Sequence, residues 1–132
     1  MKGYTLKAKT ALGTAKKVSG KIEVLKGENE ELLSFRNLQG SLKGKILIIP
    51  AEIPKSILEK ARALGVSGIV GKKIADEYLT QLKNALKTSW LSFSFALLII
   101  EKGMEEILDK VEGKMGTIEV KEKKLVISNK LT

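Results

Sequence analysis

The chain has 132 residues, 43% of them apolar, and 24 Lys plus Arg against 15 Asp plus Glu for a formal net charge of +9. This is the profile of one globular domain, long enough to bury a core without disulfides or a structural metal. It holds no Cys and no His, which excludes an imidazole base, a thiolate nucleophile, a phosphohistidine carrier, a Cys/His zinc site, and Fe–S or haem ligation by those residues. Arg36 and Arg62 are the only arginines among the basic residues, so anion recognition would rest on lysine point charges and not on bidentate forks. The Lys/Glu-rich, Gln-poor composition is thermophile-like.

From the N-terminus, Gly3, Gly13, Gly20, Gly27, Gly40 and Gly44 punctuate short alternating stretches across residues 1–44, the signature of strands joined by turns. Tyr4, Leu6 and Ala8, then Ile22 and Val24, recur with period two, while Lys7, Lys9, Lys21 and Glu23 take the opposite face. Leu32, Leu33 and Phe35 suggest a third strand. Small Gly-rich units of this kind hide their edges by curling into a barrel or sandwich.

At Lys45 the period changes. Ile46, Leu47, Ile48 and Ile49 form an unbroken apolar run closed by Pro50, as in a parallel strand covered on both faces. Ile57, Leu58, Ala61 and Leu64 then make one helical stripe, with Pro54 suited to its first turn and Gly65 to its stop. Val66 to Val70 reads as a short strand ending in Gly71. Ile74, Tyr78, Leu79, Leu82, Ala85 and Leu86 mark a second helix, Phe93 to Ile100 a third strand, and Met104, Ile107, Leu108, Val111 and Met115 a third helix. The expected helices run over 54–64, 74–87 and 103–113. Thr117 to Val120 and Leu125 to Ser128 flank a turn and read as a hairpin returning to the N-terminal strands.

The expected fold is therefore α/β in a single domain, 1–132: an N-terminal β lobe (1–44), a three-stranded parallel βαβαβα lobe (45–116), and a C-terminal hairpin (117–132) completing the β lobe. The longest apolar run, 91–100, is too short to span a bilayer and contains Ser92 and Ser94. The first residues lack the apolar core of a signal peptide, so a cytoplasmic location without membrane contact is expected.

The stretch KGKILIIPAEIPKSILEKARALGVSGIVGKKI, residues 43–74, resembles a swivelling β/α/β domain of uncharacterised prokaryotic proteins in which a Gly-rich β segment comes first. It also looks similar to the swivelling domains of phosphohistidine proteins. The resemblance implies architecture, a β/α/β lobe beside a β lobe, and a non-catalytic accessory role; the histidine that performs phosphotransfer in that family has no counterpart here.

Residues 1–26 carry seven Lys and one Glu, +6 of the total charge. Lys7, Lys9, Lys16, Lys17 and Lys21, on short strands and turns of one expected lobe, form a candidate polyanion surface through counterion release. The competing reading is a solvated Lys-rich surface, since the aromatic platforms nearby are only Tyr4 and Phe35. Gly71-Lys72-Lys73 sits between an expected strand and an expected helix, where an anion is favoured, although a helix start with solvated lysines is the better reading and a single-phosphate contact the exception. It is not a P-loop: five residues separate Gly65 from Gly71, and Lys73 stands where a hydroxyl is needed.

Glu105, Asp109 and Glu112 recur at i, i+4 and i+7 and imitate an acidic ligand set, yet the same spacing makes a solvated helix face, so no metal is expected. Trp90, Phe93 and Phe95 could anchor a partner, although aromatics entering an apolar strand more often fill a core. No nucleophile arrangement is recognisable. The expected function is a non-catalytic cytoplasmic module, needing no cofactor, that binds nucleic acid or a ribonucleoprotein through Lys7, Lys9, Lys16, Lys17 and Lys21 with Lys72 and Lys73. The alternative is a protein-interaction or accessory subunit serving a separate enzyme.

Overall fold

A computed structural model describes residues 4–13, 17–24, 43–53, 55–88, 96–100 and 108–131. Lys16, the expected strand around Leu32, Leu33 and Phe35, the Trp90, Phe93 and Phe95 cluster, and Glu105 lie outside these residues. In chain order the elements are β1 (Tyr4–Lys7), β2 (Thr10–Gly13), β3 (Lys17–Val24), β4 (Ile46–Glu52), α1 (Lys55–Ala63), β5 (Gly68–Lys73), α2 (Asp76–Thr88), β6 (Ala96–Ile99), α3 (Leu108–Val111), β7 (Lys114–Glu119) and β8 (Lys124–Leu131).

The apolar run in β4 has a direct cause in packing. Ile46, Leu47, Ile48 and Ile49 are all fully buried, because successive side chains enter two different cores. Leu47 and Ile49 pack with Ile57, Leu58 and Ala61 of α1, Tyr78 and Leu82 of α2, and Ile69, Leu97 and Ile99 of the neighbouring strands. Ile46 and Ile48 pack on the other side with Val70 and Leu98 and with Ile22, Ile118, Leu125 and Ile127 from the remaining strands. Helix α1 stops where Gly65 takes the left-handed conformation (φ 83°), which glycine adopts without a Cβ penalty.

The eight strands form one sheet in the order β1-β8-β7-β3-β4-β5-β6-β2. This corrects the expectation of a separate three-stranded parallel βαβαβα lobe beside a β lobe: the fold is a curled mixed sheet of half-barrel form. Two pairings fuse the expected lobes. β3 runs parallel to β4, with Ile22 opposite Ile46 and Val24 opposite Ile48, and β2 runs antiparallel to β6, with Thr10 opposite Ile99. Close approach at the first seam is made possible by Gly20, where a Cβ would stand 2.3 Å from the Gly44 carbonyl oxygen.

The curl brings the two ends of the sheet onto a single segment. β1 pairs with β8 and β2 with β6, and only Ala8 and Lys9 separate them. The Ala8 amide donates to the Lys123 carbonyl (2.7 Å) and the Lys9 amide to the Ile99 carbonyl (2.8 Å). Ala8 and Ala11 both pack against the inner core, so the period-two alternation slips by one residue at this junction, as in a bulge. Edge strands that meet in this way leave little open backbone for aberrant pairing. Among the described residues no helix is long and apolar enough to cross a membrane.

Candidate functional site

Three parallel strands end at the same side of the sheet: β4 at Glu52, β5 at Lys73 and β6 at Ile99. Open α/β sheets bind ligands outside these carboxyl ends, and here a crevice of about 720 Å³ occupies that position. β5 reaches it by running out of the core: Gly68 to Gly71 are buried, and Lys72 and Lys73 are exposed. Past a register shift, Glu52 stands opposite Lys73, and the Ile53 amide donates to the Lys73 carbonyl at 2.8 Å. Helix α2 contributes Asp76, Leu79 and Lys83 at i, i+3 and i+7, one face, while Tyr78 and Leu82 on its other side are buried against the sheet. The β1–β2 junction supplies Lys9 and Thr10, and Ile74, Leu79 and Ile99 give the wall its apolar part.

Among its described residues the lining holds four lysines, Lys9, Lys72, Lys73 and Lys83, against two carboxylates, Glu52 and Asp76. The first turn of α2 carries Asp76 and Glu77, so the positive end of that helix already faces negative charge. The arrangement suits an oxyanion held by point charges, with Glu52 and Asp76 able to accept hydrogen bonds from hydroxyl or amino groups of the same molecule.

The structure divides the lysines that the sequence groups together. Lys9, Lys72 and Lys73 meet in the crevice. Lys7, Lys17 and Lys21 sit on exposed positions of β1 and β3, where Lys7 stands opposite Lys124, Lys17 opposite Glu119 and Lys21 opposite Met115. Carboxylates are interleaved on that surface. Lys45 pairs with Glu23 at 3.0 Å, and Lys124 bonds Glu122 at 2.9 Å with Glu119 at 3.9 Å. The Lys124 hydrogen bond and charge hold the Glu122 carboxyl below its ordinary range, and Glu122 in turn raises the Lys124 ammonium.

Lys72 and Lys73 are the last residues of β5 and do not open a helix, because the strand stays paired as far as Glu52 and α2 begins only at Asp76. Glu112 has a structural use that the helix-face spacing does not reveal: its Oε2 accepts from the Val24 amide at 2.5 Å, closing the end of β3. Among the described residues no cluster of three acidic side chains could hold a metal ion. Sequence reasoning missed Thr10, Glu52, Asp76 and Lys83; for Glu52 the available signal was a polar residue closing an apolar strand, and for Lys83 there was none.

No family model matches the chain, and no curated protein sequence matches it. Its fold is shared with solved structures. A chain in the crystal structure of Thermococcus kodakaraensis aconitase X in its holo form aligns with a TM-score of 0.58 at 13% identity, covering 96% of this chain and 99% of that one. A UPF0107 protein solved in solution by NMR aligns with a TM-score of 0.58 at 16% identity, covering 95% and 99%. At these identities the likeness is one of fold.

Proposed function

We propose that this chain is an accessory subunit, not catalytic on its own, that associates with a separate enzyme chain and presents the crevice at the carboxyl ends of β4, β5 and β6 to it. The observation that carries this reading is the two-way coverage of the aconitase X match: 96% of this chain corresponds to 99% of a chain in the crystal structure of aconitase X, so the counterpart there is a whole chain of similar size. The chain's own chemistry agrees. With no His and no Cys, the chain lacks the imidazole and thiolate that most often perform acid–base and nucleophilic work, which suits a subunit that lends binding groups to a site completed elsewhere.

The nucleic-acid reading draws no support from the geometry, which disperses Lys7, Lys17 and Lys21 among Glu23, Glu119 and Glu122. The two readings separate in one experiment. The tagged chain is used as bait in native lysate, with and without nuclease. The accessory reading expects one protein retained in near-stoichiometric amount in both arms, and an activity of the reconstituted pair that neither chain shows alone. Capture that disappears with nuclease, or turnover by the purified chain in a hydrolase and lyase panel abolished by one point substitution, would overturn it.

A further inference from the structure

We propose that the crevice is itself a binding site for a small oxyanionic molecule, carrying a phosphate or a pair of carboxylates, held chiefly by Lys9, Lys73 and Lys83. The site belongs to this chain alone and does not require the accessory-subunit reading.

Three observations converge. The first is composition: among the described residues of the lining, four lysines stand against Glu52 and Asp76. The second is provenance. Lys9 comes from the β1–β2 junction, Lys73 from the end of β5, and Lys83 from the third turn of α2; the fold brings the N-terminal junction onto the β5–α2 unit and so delivers like charges to one concavity. A concavity lined mainly by one sign of charge attracts the opposite charge. The field is also focused where a concave wall is partly apolar, as Ile74, Leu79 and Ile99 make it here. The third is size. About 720 Å³ lies within the range of small-molecule sites.

A small ligand fits better than a polyanion. A nucleic acid needs positive charge that continues along its backbone, whereas Lys7, Lys17 and Lys21 lie on the open strands, where Glu23, Glu119 and Glu122 are interleaved with lysines. Lysine heads also bind phosphate and carboxylate as point charges, so phosphate and dicarboxylate share the same chemistry, and the test has an arm for each.

The full chain, labelled with 15N, is titrated with inorganic phosphate and separately with succinate, ionic strength being held constant with sodium chloride. The expected result is saturable shifts at the amides of Thr10, Lys73, Asp76 and Lys83 in at least one arm; the arm that saturates names the anion class. The triple variant Lys9→Gln/Lys73→Gln/Lys83→Gln keeps a dispersed spectrum, since all three positions are exposed, and binds at least about tenfold more weakly. Lys17→Gln/Lys21→Gln binds as the parent does. Non-saturable shifts in both arms would overturn the proposal. So would equal affinity in parent and triple variant, or tight binding of a DNA duplex unaffected by the triple substitution.

Discussion

Strands β4, β5 and β6 are covered on both sides, by α1 and α2 on one face and across the curl by β7 and β8 on the other. Strands β1, β3, β7 and β8 bury one face and expose the other, where Ser19 and Thr117 hydroxyls bond at 2.9 Å and Lys7, Lys17 and Lys21 meet water. The same sheet thus writes two sequence patterns, an unbroken apolar run where it is sandwiched and strict alternation where it is not. The division also sorts the chemistry. The crevice forms at the end of the sandwiched strands, and the open strands carry paired surface charge.

The comparison breaks most visibly in adjacent alanine substitutions. In β4, Leu47→Ala and Ile48→Ala are each expected to cost about 2–5 kcal/mol, because both side chains are fully buried. In β8, Ile127→Ala is expected to cost a similar amount, but its neighbour Val126, only half-buried, less than about 1 kcal/mol. Urea unfolding of the four variants checks this, and equal costs at Val126 and Ile127 would refute the open face.

The seam between the halves gives the next largest effect. Gly20→Ala forces a Cβ against the Gly44 carbonyl and is expected to cost about 3 kcal/mol by prising β3 from β4, with protection of the Ile46 and Ile48 amides falling first in hydrogen exchange. Smaller again is Glu112→Ala. It removes a charged acceptor from the Val24 amide and is expected to cost about 1.5 kcal/mol, measured by the thermal midpoint.

The smallest effect lies on the exposed hairpin. Because Lys124 depresses the Glu122 carboxyl, the pair contributes above the unfolded titration of that glutamate, and the contribution is lost as pH falls through the folded pKa. Because Glu122 raises Lys124, the lysine's share is present below its unfolded pKa and lost as pH rises through the folded one. Carboxyl NMR should find Glu122 titrating below an ordinary glutamate, and Lys124→Gln should return it upward with little change in stability.

The sequence made the separate elements readable and left their pairing unread. Ile46 to Ile49 announce a sandwiched strand and Ile57, Leu58 and Ala61 a helix, because burial of consecutive residues or of one stripe leaves a local period. That Ile22 lies opposite Ile46, or Thr10 opposite Ile99, leaves none: an apolar face records that it is covered and not by what. The half-barrel was lost for this reason, and with it the division of the lysines. Lys7 and Lys9 are neighbours in sequence and in period, yet the slipped alternation between Ala8 and Ala11 sends one to the open face and the other to the crevice. Lys83 belonged to the site from a distance of 74 positions from Lys9, which no local pattern records.

The segment that joins both ends of the sheet also orders the chain in time. Residues 4–13 are made well before their partners, since β1 and β2 pair with residues 124–127 and 96–99. A growing chain therefore holds β1 unpaired until β8 has been made, and assembly must close long loops before that strand is rewarded with contacts. Folding is expected to be slow, with β1 placed only after β8 is in position.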